Sequence, residues 1–68
     1  MNMLTLGEYI KQKRKTYKLT QVDLSMKSGV GLRFIRELEQ GKETVRVDKV
    51  NQLLSLFGET LFPTKIPR

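Results

Sequence analysis

The sequence predicts an all-α fold in one small domain. Apolar residues recur at steps of three to four positions, which is the pattern of helices with one buried face. Two Thr-x-x-acid segments have the spacing of capping boxes, and glycines follow the apolar segments where helices would end. Sixty-eight residues suffice for a single domain, and a core of that size supplies only about 3–5 kcal/mol of stability.

The first helix is predicted to start at Thr5. The segment from Thr5 to Glu8 has capping-box spacing, in which each side chain accepts a hydrogen bond from the other residue's backbone N–H group. Leu6 and Ile10 continue the apolar stripe, which reaches Arg14, and Tyr17 breaks the pattern. The positions left for the solvent face of this helix are Lys11, Gln12 and Lys15.

A second capping box, from Thr20 to Asp23, predicts a short helix that runs to about Ser28. Leu24 is its main core residue, and Gly29 follows where a positive φ angle would let the chain turn sharply.

The third helix is predicted to begin near Leu32, to bury Ile35 and Leu38, and to end at Gly41. Its outer face is polar and carries arginines. The second and third predicted helices are short and joined by a tight turn, which is the layout of a helix-turn-helix. In that motif the second helix, with its polar face, lies in the major groove of DNA. An ordinary helical hairpin in a small bundle is the alternative.

A fourth helix is predicted from Val47 to Phe57, with Gly58 as its C-terminal cap. The apolar stripe of this helix contains Val50, Leu53, Leu54 and Phe57. Residues 59–68 contain both prolines of the chain and cannot continue a helix. Thr60, Leu61 and Phe62 form either a short extended segment or part of a solvated tail.

The charge of the chain favours a polyanionic partner. Thirteen Lys and Arg against seven Asp and Glu give a net charge of +6. Nucleic acid is the first expectation for so basic a domain, and an anionic membrane surface is the weaker one. A soluble protein that is merely basic is the remaining alternative.

The composition argues against catalysis. The chain has no histidine and no cysteine, so it lacks an imidazole base, a thiolate nucleophile and the usual zinc ligands. Glu37 and Glu39 lie two apart on a predicted helix and point in different directions. We expect no enzyme activity, no cofactor and no metal. Without a long apolar run or a signal peptide, we expect a cytoplasmic, nucleoid-associated protein.

Several segments together resemble the Cro/cI-type (XRE) DNA-binding domain, a bundle of four to five helices. The resemblance covers roughly residues 6 to 61 and is carried by Leu19-Thr20-Gln21, Leu24-Ser25, Gly29-Val30, Ile35 and Glu39-Gln40-Gly41-Lys42. It implies a domain over residues 1–58, with the helix-turn-helix unit at about residues 20–39.

The resemblance implies roles for residues of the third helix. The base-reading positions are Leu32, Arg33, Arg36 and Glu37. Arginine can donate to guanine O6 and N7, glutamate can accept from cytosine N4, and leucine can touch a thymine methyl group. Either arginine could instead contact only phosphate, which positions the protein without specifying sequence.

Further positions are implied to bind the DNA backbone. They are Thr20, Gln21, Gly31, Gln40, Lys42, Thr44 and Arg46. Gln21 lies at a helix start, where free N–H groups favour an anion. Lys42 and Arg46 would add salt-dependent affinity. Ordinary solvated side chains are the alternative at these positions.

The resemblance also implies a partly buried structural ion pair between Arg14 and Glu39. Two positions depart from the family pattern. Gly31 replaces the usual Ser or Thr cap of the third helix, which removes a hydroxyl group that could bind phosphate. Phe34 occupies a usually polar position, where it either packs back on the first two helices or contacts DNA.

The segment from Gly58 to Phe62 resembles HipB-like antitoxins. That likeness implies a short strand of Thr60, Leu61 and Phe62 in a homodimer interface and a HipA-type kinase toxin as partner. A two-fold dimer would read a palindromic operator in double-stranded DNA. The sequence therefore predicts an autoregulating repressor. A protein-interaction module that neutralises a partner enzyme without specific DNA binding is the alternative.

Overall fold

The computed structural model describes residues 5–43 and 46–61 of the chain. Within them it contains four helices and no strand, which confirms the all-α prediction. The helices are α1 (Leu6–Thr16), α2 (Gln21–Ser28), α3 (Leu32–Glu39) and α4 (Val47–Ser55).

Both predicted capping boxes are present. The Thr5 hydroxyl accepts from the Glu8 N–H at 3.1 Å, and the Thr5 N–H donates to the Glu8 carboxylate at 3.0 Å. Thr20 and Asp23 make the same two bonds, at 3.0 and 2.9 Å. These reciprocal bonds satisfy backbone groups that a helix start otherwise leaves free.

The capping boxes predict a loss of stability in acid. Hydrogen bonds from the Thr5 backbone and side chain lower the pKa of Glu8, and bonds from Thr20 do the same for Asp23. Because both values lie below those of the unfolded chain, the stabilisation is complete at neutral pH and is lost as the pH falls below about 4. Far-UV circular dichroism should show less acid loss in a Glu8→Gln/Asp23→Asn variant. Equal acid sensitivity in both proteins would contradict this role.

Two helix ends lie earlier than the sequence predicts. Helix α3 ends at Glu39, not at Gly41, and α4 ends at Ser55, not at Phe57. At the end of α4 the chain tightens, because Leu56 and Phe57 bond carbonyls three residues back. Gly58 then adopts φ 76°, and the Glu59 N–H reaches the Leu54 carbonyl in a Schellman motif. The predicted cap at Gly58 is thus present beyond a shorter α-helix.

The predicted core is confirmed in most positions. Its buried residues are Ile10, Leu24, Val30, Ile35, Leu38, Val50, Leu53 and Leu54. Phe57 is only partly buried and packs against this cluster. Leu6, expected on the apolar stripe of α1, is 37% exposed.

Hydrogen bonds and an ion pair hold the chain after α4 against α1 and α4. The Tyr9 hydroxyl donates to Glu59 at 2.5 Å, Lys13 lies 3.6 Å from the same carboxylate oxygen, and Leu61 N–H donates to Asn51 at 2.7 Å. Thr60 and Leu61 are not in a strand. Phe62, like Thr44 in the loop before α4, lies outside the described residues, so the predicted strand stays a prediction.

Candidate nucleic-acid interface

Helix α3 has one buried and one polar face. Ile35 is fully buried and Leu38 is 4% exposed, which fixes the inner face to the core. By the helical period of 3.6, the opposite face carries Arg33, Arg36, Glu37 and Gln40, and Leu32 lies at its edge. The Arg33 side chain is 92% exposed, Arg36 is exposed, and Leu32 is half-buried. The structure therefore places Arg33, Arg36 and Glu37 together on the outer face, with Leu32 at its edge.

The end of α3 is held against α1 by a bidentate ion pair. Arg14 Nε and Nη2 each lie 2.9 Å from an oxygen of Glu39. The two side chains are 11% and 4% exposed. Arg14 also donates to the Leu19 carbonyl at 2.9 Å, so one guanidinium joins α1, the connection to α2, and α3. The hydrogen bond with Glu39 raises the pKa of Arg14, against the effect of its burial.

Gln21 shares this network. Its side-chain amide donates to Glu39 at 3.1 Å, which ties the first residue of α2 to the last residue of α3. That contact braces α3 against the start of α2. Gln21 is half-buried and is the first residue of α2. The free N–H groups of a helix start favour a bound anion.

Glu37 is engaged within the outer face of α3. Its Oε2 atom lies 3.3 Å from Lys42 Nζ and 3.6 Å from Arg33 Nε. Since all three groups are wholly or partly exposed, these pairs contribute little to stability. They place one carboxylate between two cations, so a cytosine N4 group would compete with Lys42 and Arg33 for it.

Three of the predicted backbone-binding residues, Gly31, Gln40 and Lys42, lie at the two ends of α3. Gly31 caps the start of α3 without a side-chain hydrogen bond, because glycine lacks the hydroxyl group of the usual Ser or Thr. Gln40 and Lys42 are exposed just after its end. Arg46 pairs with Asp48 at 3.0 and 3.1 Å, which raises the pKa of Arg46 and lowers that of Asp48. Thr20 is exposed, and its hydroxyl is used in the capping box.

Phe34 packs inward, and the specific interpretation that it packs on the first two helices stays a prediction. It is partly buried against the core. In α4, Lys49 Nζ lies 5.4 Å from the centroid of its ring. Phe34 lies on the side of α3 that faces α4. Glu39 lies on the other side of the helix, where it contacts Arg14 of α1 and Gln21 of α2.

Sequence reasoning missed the polar contacts that hold the turn between α2 and α3. Ser25 Oγ donates to the Val30 carbonyl at 2.6 Å, and Val30 N–H donates to the Ser28 hydroxyl at 3.1 Å. Gln52 of α4 donates to the Ser28 carbonyl at 2.7 Å. The bond from Val30 to Ser28 has a local sequence signal, a serine two residues before its partner. The bond from Gln52 has none, since it spans 24 residues.

Other kinds of site have no support within residues 5–43 and 46–61. No group of three acidic, cysteine or histidine side chains there could hold a metal ion. None of the helices in this part of the chain is long and apolar enough to cross a membrane.

Comparison with known proteins identifies the family. The family model for the helix-turn-helix matches residues 10–62. An uncharacterized HTH-type transcriptional regulator of Sinorhizobium fredii, y4mF, is 43% identical over 53 residues, which cover 78% of this chain and 70% of that protein. No solved structure matches the chain. With its two short helices, glycine turn and exposed second helix, the chain belongs to the Cro/cI-type helix-turn-helix family.

Proposed function

We propose that this protein is a sequence-specific DNA-binding transcriptional repressor that binds an inverted repeat as a homodimer. Membership of the helix-turn-helix family and a relative named as a transcriptional regulator support a DNA-binding regulator. The observation that carries the proposal is the outer face of α3, where Arg33 and Arg36 are free of the core while Ile35 and Leu38 anchor the helix. The net charge of +6 supports a polyanionic partner.

We assign base reading and backbone binding to different residues. Leu32, Arg33, Arg36 and Glu37 read bases in the major groove. The residues that bind the backbone are Thr20, Gln21, Gly31, Gln40, Lys42, Thr44 and Arg46. Lys42 leaves Glu37 for a phosphate, and Glu37 is then available to a cytosine.

Selection of duplexes from a random pool of about 30 base pairs tests sequence-specific binding. We expect enrichment of an inverted repeat whose half-sites lie about one helical turn apart, because a two-fold dimer repeats its contacts at that distance. A pool that stays random after several rounds, together with equally weak binding to every duplex, would favour the protein-interaction module instead.

Two single substitutions should separate base reading from backbone binding. Arg33→Ala should relax the preference at one position of each half-site and cost about 1–3 kcal/mol of binding free energy there. Lys42→Ala should weaken all sequences alike and reduce the salt dependence of binding. Titrations of both variants against the selected duplex and its point mutants provide the measurement. An Arg33→Ala protein that keeps the full base preference would show that this arginine contacts only phosphate.

The dimer is proposed to form through the segment that follows α4. Leu6 and Leu61 are each 37% exposed beside a groove of about 330 Å³ that is also lined by Leu54 and Tyr9. We assign Thr60, Leu61 and Phe62 to the interface, within a tail of residues 59–68. Sedimentation of the protein over a range of concentrations should give twice the mass of the chain. A monomer at all concentrations would refute this part of the proposal.

A finer proposal makes the protein the antitoxin of a HipA-type toxin–antitoxin operon, acting in the cytoplasm on the nucleoid. It rests on the resemblance of the segment from Gly58 to Phe62 to HipB-like proteins. Co-expression with the product of the adjacent gene tests it. We expect a stable complex with a kinase-like protein and repression of the shared promoter. A neighbouring gene without kinase features would refute it.

A further inference from the structure

One flank of α1 carries two lysines without a counter-charge. Lys11 and Lys15 are both exposed and lie four residues apart, so they share one side of the helix. Among residues 5–43 and 46–61, neither ammonium pairs with a carboxylate. Two like charges at this spacing oppose helix formation. Neither lysine is therefore held in an ion pair within the described fold.

This flank borders the candidate interface. Gly7 packs against the backbone of Leu38 and Glu39 at the end of α3, and Arg14 binds Glu39. Lys11 comes four residues after Gly7 and three before Arg14, so it lies on the side of α1 that faces the end of α3.

Lys15 extends the same flank towards the start of α2. It follows Arg14, whose guanidinium binds the Leu19 carbonyl immediately before the helix cap at Thr20. Lys15 thus lies in the last turn of α1, just before the connection that leads to Gln21 at the start of α2.

The opposite flank of α1 differs in its electrostatics. Lys13 lies 3.6 Å from Glu59 and 5.8 Å from the ring centroid of Tyr9, so its charge is balanced inside the protein. The uncompensated charge of α1 is concentrated on the side that adjoins α3.

We infer that Lys11 and Lys15 bind phosphates of the DNA backbone and so extend the interface beyond the helix-turn-helix onto α1. The inference rests on the proposed DNA-binding function. Phosphate is the matching ligand because an exposed ammonium gains affinity for DNA by releasing condensed counterions. These lysines contact no base, so they raise affinity for every sequence equally.

A matched pair of double variants tests the inference in the full chain. Lys11→Gln/Lys15→Gln removes two charges from the flank beside α3, and Lys13→Gln/Lys27→Gln removes two charges elsewhere, so the two proteins have the same net charge. Fluorescence anisotropy measures their binding to a random-sequence duplex and to the selected inverted repeat, over about 50 to 300 mM KCl. Circular dichroism and urea unfolding establish that both variants are folded.

The flank variant should make log K fall less steeply with log [KCl], the slope changing by about +2 for each bound protomer, with affinity about thirty-fold weaker per protomer at 0.15 M salt. The ratio of affinities for the selected and random duplexes should stay unchanged. The control variant should keep a slope close to that of the unmodified protein.

Equal slopes for the two variants would overturn the inference, since only the total charge would then matter. If the unmodified protein binds and prefers the selected duplex while the flank variant keeps its slope, the inference alone fails. If the unmodified protein does not bind DNA at all, the proposed function fails with it.

Discussion

Replacing Arg14 with alanine is expected to lower the free energy of unfolding by about 3 kcal/mol, because it leaves a buried carboxylate without its counter-charge. Glu39 is 4% exposed and receives two bonds from this guanidinium. A domain of this size has only about 3–5 kcal/mol in total. Urea unfolding followed by circular dichroism should therefore show a variant that is close to unfolded at room temperature.

A double variant isolates the cause of that loss. Arg14→Met/Glu39→Met removes both charges and keeps apolar volume, so it should be more stable than Arg14→Ala. It should still bind DNA less well, because Gln21 loses the oxygen that orients its side chain. If Arg14→Ala costs less than about 1 kcal/mol, the pair behaves like an exposed one and does not hold α1 to α3.

Replacing Gly7 with alanine is expected to cost about 2 kcal/mol, because α1 and α3 approach each other too closely for a methyl group. A Cβ atom at Gly7 would overlap the carbonyl oxygen of Leu38 and lie 3.1 Å from the Cα atom of Glu39. Both obstacles are backbone, so no side-chain rotation relieves them. The loss should appear even though alanine is the better helix former by about 1 kcal/mol.

The matched control is Gly31→Ser at the start of α3. A Cβ atom there meets nothing within 4 Å, and its φ of −60° suits any residue. A serine hydroxyl should cap the helix and leave stability within a few tenths of a kcal/mol of the starting value, about the difference between these caps. Urea midpoints of the two variants give the comparison. If Gly7→Ala leaves the urea midpoint unchanged, α1 and α3 can move apart at no cost and the close contact is not required.

Local sequence signals correctly predicted where most helices begin. Thr5 and Thr20 cap their helices as the spacing of Glu8 and Asp23 predicts, because a capping box is completed within four residues. The buried face of each helix was also predictable from its period. Helix ends were less predictable from the sequence. In the final turn of α4, backbone N–H groups bond the carbonyls of Leu53 and Leu54 three residues back, and no residue type specifies these bonds.

Contacts between distant residues were mostly beyond sequence reasoning. The fastening of Glu59 by Tyr9 joins residues 50 positions apart, and no periodicity relates them. The pairing of Glu37 with Lys42 likewise depends on the path of the chain after α3. The ion pair of Arg14 with Glu39 was expected only through the family resemblance, because spacing alone does not pair residues 25 apart.

The sequence by itself determined the all-α fold, the capped starts of α1 and α2, and the polar outer face of α3. Each of these depends on residues within one or two helical turns. Only the tertiary structure decided that Phe34 lies beneath Lys49, that Glu37 is already paired, and that Gly7 packs against the end of α3. Those outcomes depend on how α1, α3 and α4 pack, and packing is set by the whole core and not by any local pattern.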